Sequence, residues 1–417
     1  MKVIVVGAGV VGVTTAFYLK ADGHEVTVIE QNAVAGSETS FANAGQLCHL
    51  TAKPWAAPGV PSMIIREFGK STAPYLLHLR ADPAMWSWLI QFLLNCSPKK
   101  YSATKAALLG LAKHSTRLMK DVVKSTNIKF DYESKGILHL YGGEKSFTEA
   151  VKAEEKIPEE KSRGEVLDYS DCLAAEPALT QSQVKYAGGI LHSYEHTGDA
   201  HQFTRAISSF LEQEGVEFLY GLSAEKLLLD GNKVSGVLTS AGIQRGDATV
   251  ITAASESVRL LKTVSLKLPV YPIKGYSINI PTGGHNGAPS LSLHDHERKL
   301  GFTRLGERLR VAGTAEIGAQ DKAATPARIR ALREHTQKVF PNAGKLELAE
   351  PWAGLRPMTP DGAPIISRTK YNNLFINTGH GSLGWSLACA SGHMTSCLVS
   401  GRLPVVEPLG FGLERYG

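Results

Sequence analysis

The first thirty residues constrain the fold of this chain more than any other stretch. Residues 3–6 form a short apolar run, which predicts a buried parallel strand. A glycine-rich turn follows, then an apolar helix over about residues 11–22 and a second strand over about residues 25–29. The second strand ends at an acidic residue, Glu30. This order of strand, turn, helix, strand and acid predicts a βαβ unit that binds a dinucleotide.

Each glycine of this G-x-G-x-x-G turn has its own physical role. Gly7 permits the tight turn, Gly9 lets the backbone approach a pyrophosphate, and Gly12 lets helix and strand pack closely. The N-terminus of the helix offers free N–H groups to the phosphates, and Glu30 can accept hydrogen bonds from a ribose. The residues predicted to bind the dinucleotide here are Val6, Gly7, Ala8, Gly9, Val10, Val11, Gly12, Glu30 and Gln31.

The composition fits a soluble globular enzyme of two domains. The chain has 417 residues, 43% of them hydrophobic and 20% charged, and 45 basic against 39 acidic residues give a net charge of +6. This excess suits an anionic cofactor or a membrane surface, and no basic run indicates nucleic-acid binding. The five cysteines form no C-x-x-C pair, so we expect neither disulfides nor a metal site, and a cytoplasmic location. No apolar stretch reaches the length that spans a bilayer.

Helical patterns alternate with β-rich blocks along the rest of the chain. Residues up to about 156 are predicted to be mainly helical, and residues from about 268 to 314 to form a mostly antiparallel sheet. The remaining predicted strands are residues 188–192, 226–229, 234–239, 248–251 and 374–377. The remaining predicted helices are residues 200–214, 326–339 and 383–399.

The helix predicted at residues 84–94 has two interpretations. It is apolar around most of its circumference, with a narrow polar stripe at Ser87, Gln91 and Asn95. Such a helix is either buried in the core or rests in a membrane interface, where its tryptophans would lie at the headgroups and Lys99 and Lys100 on anionic lipid. The sequence leaves both open.

A second glycine-rich helix entrance lies near the C-terminus. Gly379, Gly381, Leu383 and Gly384 follow an apolar strand and open the last helix. A helix N-terminus there would stabilise the negative charge of a reduced flavin ring, for which a nicotinamide enzyme has no need. Just upstream, Arg356 lies between a glycine and a proline, and its guanidinium can bind a carboxylate with two parallel hydrogen bonds.

With these motifs, the chain resembles the bacterial flavin-dependent D-amino acid dehydrogenases, within the glycine oxidase and D-amino acid oxidase superfamily. Besides the N-terminal fingerprint, the resemblance rests on residues 38–46, 54–61, 270–276, 354–362 and 377–385. It implies non-covalent FAD and assigns carboxylate binding to Arg356. Further FAD-binding residues implied by it are Ser40, Asn43, Ala44, Gly45, Gln46 and Ala254. Two segments depart from the family pattern, residues 48–51 near the substrate and residues 253–255 near FAD.

The resemblance implies an α/β fold in which a Rossmann-like FAD-binding domain carries a discontinuous α+β substrate domain on a mixed or antiparallel sheet. We expect residues 1–55, 196–262 and 346–417 to form the FAD-binding domain. Residues 56–195 and 263–345 would form the substrate domain.

The implied activity is oxidative deamination of a D-amino acid to a 2-oxo acid and ammonia, as in amino-acid catabolism, with electrons passed to an acceptor other than oxygen, such as a quinone. Tyr271 and Tyr276 are candidate partners of Arg356. His49 and Lys274 are candidates for the substrate pocket. His294 and His296 are expected on one side of a strand, either lining the pocket or, as the sequence favours, at the surface.

Alternatives remain at this stage. One is a flavin amine oxidase, or a proline- or hydroxyproline-type dehydrogenase, that acts on glycine, sarcosine or a secondary amino acid. Another is a nucleotide-binding subunit of a larger complex. The helix at residues 84–94 also leaves open a peripheral position on the cytoplasmic face of the inner membrane.

Overall fold

The computed structural model describes residues 1–67, 74–157, 163–284, 287–319 and 321–416. Its strands are β1 (Lys2–Val6), β2 (Glu25–Glu30), β3 (Gln46–Leu47), β4 (Tyr75–Leu77), β5 (Ile137–Tyr141), β6 (Glu165–Asp168), β7 (Gly188–His192), β8 (His196–Thr197), β9 (Glu217–Tyr220), β10 (Ala224–Asp230), β11 (Lys233–Thr239), β12 (Gly242–Gln244), β13 (Ala248–Ile251), β14 (Tyr271–Pro281), β15 (Ser292–Asp295), β16 (Leu300–Leu305), β17 (Arg308–Ile317), β18 (Glu350–Met358), β19 (Ile365–Arg368) and β20 (Leu374–Thr378). Its helices are α1 (Val10–Ala21), α2 (Val60–Glu67), α3 (Pro83–Asn95), α4 (Pro98–Thr126), α5 (Glu144–Glu155), α6 (Tyr169–Ala175), α7 (Ala200–Gln213), α8 (Glu256–Lys262), α9 (Pro326–Val339) and α10 (Gly384–Val399).

The predicted βαβ unit forms the centre of a six-stranded sheet in the order β19-β20-β13-β1-β2-β9. β1 pairs in parallel with both β2 and β13, and all its residues after Lys2 are buried. α1 packs on this sheet against α10 and α7, which join it in one apolar core. The glycine turn after β1 therefore opens at the carboxyl edge of the parallel strands, where ligands bind in such sheets.

The second large sheet has nine strands, with the order β18-β14-β17-β16-β15-β5-β7-β6 and β4 paired to β17. The antiparallel sheet predicted for residues 268–314 is confirmed by β14, β15, β16 and β17. β5 and β15 pair in parallel although about 150 residues separate them. β18 also belongs to this sheet, whereas the sequence assigns its residues to the FAD-binding domain, which is expected to include residues 346–417.

The segment predicted to be mainly helical contains α2, α3, α4 and α5, but also the strands β4 and β5. β5 is buried at every position and pairs with β7 and β15. Its short apolar run was not recognised because the long helices around it dominate the local pattern.

Helix α3 has one buried apolar face and one exposed apolar face, so each of the two interpretations applies to one side of it. Met85, Trp88, Leu89 and Phe92 are buried against β14 and β17. The opposite face exposes Trp86, Ile90, Leu93 and Leu94, with exposed fractions from 40% to 63%. Among the described residues, no helix combines the length and apolarity needed to cross a membrane.

Candidate active site

A cavity of about 520 Å³ lies where the two large sheets meet. Its walls come from the N-termini of α1 and α10 and from β14, β15, β16, β17 and β18. A smaller cavity of about 110 Å³ surrounds Glu30. Residues common to both walls are Gly9, Thr39, Ser40, Thr252 and Ala254. The shared residues place the two cavities next to each other, and a dinucleotide is large enough to occupy both.

Gly7 and Gly12 have the tight turn and the close packing that the sequence predicts for them, and Gly9 lines an open space. Gly7 has φ +105°, a conformation that favours glycine. A Cβ on Gly12 would lie 1.9 Å from the Gly7 carbonyl oxygen, so Gly12 serves close packing. A Cβ on Gly9 would meet only the Ser40 hydroxyl, at 3.4 Å, and Gly9 lines both cavities. Gly9 is therefore the glycine of this turn with open space beside it.

Glu30 is buried at the end of β2 and lines the smaller cavity. One carboxylate oxygen accepts from the Ala8 N–H at 2.8 Å, and the other accepts from the Asn32 N–H at 2.8 Å and its side-chain amide at 2.7 Å. These bonds fix the carboxylate, and the lone pair left over remains for a ribose hydroxyl. Ala254, on the shared wall, has φ +49°, a position that favours the glycine usual in the family pattern.

The N-terminus of α10 borders the larger cavity through Ser382, Leu383 and Gly384. Its first N–H groups lack partners within the helix, as at any helix N-terminus. His380 precedes them, and burial lowers its pKa to about 3, so its ring is neutral. Its buried Nε2 has no hydrogen-bond partner in the described structure. An orphaned polar atom beside a helix N-terminus fits the polar edge of a flavin ring.

The expected cofactor-binding residues fall into two groups, those that line a cavity and those that do not. Those lining one or both cavities are Val6, Gly7, Gly9, Val10, Val11, Glu30, Gln31, Ser40, Asn43, Ala44, Gln46, Ala254, Gly381, Leu383 and Gly384. Ala8, Gly12, Gly45 and Gly379 lie behind these walls. Gly379 has φ +78°, and a Cβ there would lie 2.7 Å from the Thr359 side chain. The residues present therefore fit FAD.

Arg356 projects into the larger cavity from β18. Its Nη1 donates to the Thr314 carbonyl at 3.0 Å, and its guanidinium lies 5.7 Å from the Trp55 ring centre. Burial lowers the pKa of Arg356 to about 10, so the side chain is still a cation at neutral pH. No carboxylate pairs with it among the described residues. A desolvated guanidinium without an anion is a binding site for a carboxylate ligand.

The structure places Tyr276 and Lys274 differently from the sequence prediction. Both side chains point to the face of β14 opposite Gly275, because side chains alternate along a strand. The Tyr276 hydroxyl hydrogen-bonds Thr325 at 2.8 Å, and Lys274 pairs with Asp321 at 2.8 Å. Tyr276 borders the cavity, but its hydroxyl is engaged elsewhere, and Lys274 does not line the cavity.

Tyr271 and His49 also lie outside the cavity wall. The Tyr271 hydroxyl donates to Asp82 at 2.9 Å, and α3 covers its ring. His49 stacks on His196 with the ring centres 5.9 Å apart. Neither side chain is placed to touch a substrate in the cavity.

The tyrosine beside Arg356 is Tyr75, which sequence reasoning missed. Tyr75 lines the cavity from β4 and packs edge-on against Trp55. Burial raises its pKa to about 12, with Arg356 acting in the opposite direction. β4 is only three residues long, so no local pattern identifies it.

The prediction that His294 and His296 lie at the surface is wrong, because both line the cavity together with His139. They do share one side of a strand, as predicted. Lys53 and Lys299 line the same region and were not singled out in the sequence. The other domain covers this strand face, which the local pattern cannot reveal.

This chain is similar to flavoproteins over nearly all its length. A family model described as DAO, FAD-dependent oxidoreductase, matches residues 2–398. The chain is 41% identical over 417 residues to a D-amino acid dehydrogenase of Paramagnetospirillum magneticum, covering 100% of this chain and 99% of that protein. It is 41% identical over 416 residues to a D-amino acid dehydrogenase of Rhizorhabdus wittichii, covering 100% of each. Glycine oxidase from Geobacillus kaustophilus shares the fold, with a TM-score of 0.76 at 21% identity over 99% of this chain and 97% of that one.

Proposed function

This chain belongs to the family of FAD-dependent oxidoreductases, and on that premise we propose that it is a D-amino acid dehydrogenase. It oxidises a D-amino acid in the presence of water to a 2-oxo acid and ammonia, and it passes two electrons to an acceptor other than oxygen. The choice of the D-enantiomer rests on the curated relatives of that name. The observation that carries the proposal is the unpaired guanidinium of Arg356 in a cavity continuous with the predicted FAD site.

Arg356 binds the substrate carboxylate with its free N–H groups. The Thr314 carbonyl and the Trp55 ring hold the guanidinium in place, so little side-chain freedom is lost when the substrate binds. Gly275 leaves the space in which the guanidinium lies, and the open cavity beside it receives the substrate. FAD, when bound, supplies the acceptor for the hydride of the substrate Cα. The neutral form of the substrate amine needs no protein base at Cα.

FAD is held without a covalent link in this proposal. Val10, Val11 and Ser40 border the site of the phosphates, and His380 with the N-terminus of α10 borders the ring. Cys48 lines the cavity, but burial raises the pKa of its thiol, which disfavours the thiolate needed for a linkage. Acid precipitation should release the flavin into the supernatant, and flavin retained in the pellet would contradict this binding mode.

The acceptor in this proposal is a membrane quinone, and the exposed face of α3 rests on the bilayer. Ile90 and Leu94 on this face are exposed by 58% and 63%, and Lys99 and Lys100 follow at the exposed start of α4. Apolar side chains beside lysines complement an anionic lipid surface. On the buried face, Trp88 donates to the Met358 carbonyl at 2.8 Å, two residues from Arg356. α3 thus connects the lipid-facing surface to the wall of the candidate active site.

The test is an anaerobic titration of the purified yellow protein with paired D- and L-amino acids, glycine, sarcosine and proline. Bleaching of the flavin by D-amino acids alone is the expected result. Bleaching by glycine, sarcosine or proline instead would favour the amine oxidase or proline-type alternative. Peroxide formed in air as fast as an artificial dye is reduced would contradict the proposed acceptor.

A further inference from the structure

A second cationic region lines the larger cavity, beside β5 and β15. It consists of Lys53 and Lys299 with His139, His294 and His296, and is called here the lysine–histidine wall. His139 and His294 are cross-strand neighbours on paired strands. His139 Nδ1 lies 3.1 Å from His296 Nε2. The sheet therefore fixes the histidines, and Lys53 and Lys299 complete the wall.

Neither lysine of this wall forms an ion pair within 4.0 Å among the described residues, although Glu195 acts on Lys53, and Glu297 and Asp295 act on Lys299, from farther away. Burial lowers the pKa of Lys53 to about 8 and also lowers the pKa of Lys299. Glu195, fully buried behind the wall, accepts from Thr51 and from the Leu50 N–H through one oxygen and lies 3.5 Å from His139 through the other. The carboxylate of Glu195 is therefore already occupied and does not line the cavity.

The cavity as a whole is positive. None of the residues described as lining it is Asp or Glu, whereas Arg356, Lys53 and Lys299 are cations. The histidines add no charge, because burial holds the pKa of His139 at about 3 and the pKa of His294 well below its usual value. The FAD phosphates are expected at the N-terminus of α1, on the other sheet. Lys53 is exposed and Lys299 is half-buried at this wall, so their ammonium groups are left for a different anion that enters the cavity.

Arg356 and Lys299 are fixed to neighbouring points of the same sheet. The Arg356 guanidinium bonds the Thr314 carbonyl on β17. A Cβ on the adjacent Gly313 would lie 2.3 Å from the Lys299 carbonyl oxygen, at the start of β16. The guanidinium also lies over Gly275 on β14, and two strand spacings from β14 to β16 are about 10 Å. Arg356, Lys53 and Lys299 line the same cavity, so a small molecule with two carboxylates can contact both cationic groups.

We propose that the preferred substrate is a dicarboxylic D-amino acid, whose α-carboxylate binds Arg356 and whose side-chain carboxylate binds the lysine–histidine wall. This inference rests on the proposed function for the reaction itself. The wall then acts as the specificity-determining part of the site. Neutral histidine N–H groups and two ammonium groups offer a carboxylate several donors at once.

The decisive comparison uses substrates that differ only in the side-chain charge. D-glutamate and D-glutamine, and likewise D-aspartate and D-asparagine, are nearly isosteric. With the holoenzyme and an artificial dye as acceptor, kcat/KM should be at least 10-fold higher for the acid of a pair. Equal or higher kcat/KM for both amides would overturn the inference while leaving the proposed function standing.

Lys53→Met and Lys299→Met should each lower the ratio of kcat/KM for D-glutamate over D-glutamine at least 10-fold. Lys226→Met is the matched control, because Lys226 is exposed on β10, outside the cavity. The flavin spectrum of each variant reports whether it folds. Variants that keep their flavin and the wild-type ratio would contradict the role of the lysines.

A binding measurement separates this inference from the reaction. Isothermal titration calorimetry with glutarate and with its monoamide, which has the same shape and one charge fewer, needs no turnover. Glutarate should bind at least 10-fold more tightly. If no D-amino acid bleaches the flavin, the proposed function fails, and this measurement still decides whether the cavity selects a second carboxylate. Equal affinity for the two compounds would overturn the inference.

Discussion

The guanidinium of Arg356 lies directly over Gly275. A Cβ on Gly275 would lie 2.2 Å from Cζ of Arg356 and 2.4 Å from both terminal nitrogens. Ile273, two residues earlier on β14, is the cross-strand neighbour of Arg356 on β18. Because position 275 has no side chain, the Arg356 guanidinium can lie there, and its position therefore depends on this glycine.

Gly275→Ala should therefore resemble a defect in Arg356 itself. The guanidinium ends a flexible side chain, so it can move away from the new methyl group without unfolding the sheet. We expect kcat/KM to fall on the order of 10- to 100-fold, about 1.4–2.7 kcal/mol of transition-state stabilisation, with KM rising. FAD content should stay at the wild-type level.

Gly110→Ala is the matched control, because a Cβ at that position of α4 meets nothing within 4 Å. Steady-state kinetics of both variants check the prediction. A Gly275→Ala enzyme with the kinetics of the control would mean that Arg356 does not need its observed position.

The glycines of the N-terminal turn should separate cofactor binding from folding. Gly9→Val adds a side chain at the shared wall of the two cavities, so we expect a folded protein that loses FAD. Gly12→Ala places a methyl group 1.9 Å from the Gly7 carbonyl oxygen, so we expect loss of stability by several kcal/mol, as for overpacking against rigid backbone. Thermal unfolding followed by circular dichroism, with flavin content after gel filtration, measures both effects. A Gly9→Val protein that keeps stoichiometric FAD would show that the cofactor does not pass this residue.

The FAD-binding half of the fold could be predicted because its signals are local. The run of β1, the glycines and Glu30 lie within thirty residues, and each glycine has one mechanical role. Arg356 could also be singled out, since it stands in a constrained motif between a glycine and a proline.

The substrate half could be predicted only in part, because its contacts are non-local. The parallel pairing of β5 with β15 brings His139 beside His294 across about 150 residues, which no local pattern encodes. Strand alternation predicts that His294 and His296 lie on the same side. It does not predict that this side lines the cavity, because distant segments such as the one around Lys53 form the rest of the wall. Tyr276 was misassigned for a related reason, since strand periodicity alone does not tell which face of β14 meets the cavity and which meets α9.

The preference for an acidic side chain should decline at alkaline pH. Lys53 is charged below its pKa of about 8 and neutral above it, so the ratio of kcat/KM for D-glutamate over D-glutamine should fall as the pH rises through 8. The α-amines of both compounds ionise at a higher pH than Lys53, so their effect on the ratio is separate from this step. The titratable groups that act on Lys53 are Lys299, Lys105, Cys48, Glu195, His139, His294 and His296.

The ratio is measured from pH 6 to pH 10 for the wild type and for Lys53→Met. The variant has no ammonium to lose, so its ratio should lack the step near pH 8. A step of the same size in both proteins would assign the titration to another group.

The exposed face of α3 predicts binding to anionic liposomes. Ile90→Ser combined with Leu94→Ser removes two of its most exposed apolar side chains and should release the protein from sedimenting vesicles, while dye-linked activity persists. Trp88 is unsuitable for this test because it is buried and bonded to the Met358 carbonyl. The control is Leu229→Ser combined with Ile243→Ser. These two apolar residues are 44% and 43% exposed, and they lie on the separate three-stranded sheet of β10, β11 and β12. A wild-type protein that stays in the supernatant with anionic vesicles would contradict membrane binding by α3 and remove the support for a membrane quinone as the acceptor.

Anaerobic reduction of the holoenzyme by the D- and L-forms of one amino acid, in the wild type and in Arg356→Met, tests most directly whether Arg356 anchors the substrate carboxylate. Methionine keeps much of the apolar bulk and removes the charge, so the flavin spectrum should be unchanged before substrate is added. The wild type should bleach with the D-form only. The variant should lose about 3–5 kcal/mol of substrate stabilisation, the cost of removing one partner of a buried charge pair, and should therefore bleach roughly 150-fold to 5,000-fold more slowly. Bleaching of Arg356→Met at the wild-type rate would contradict this assignment, and equal bleaching of the wild type by both enantiomers would contradict the proposed choice of the D-enantiomer.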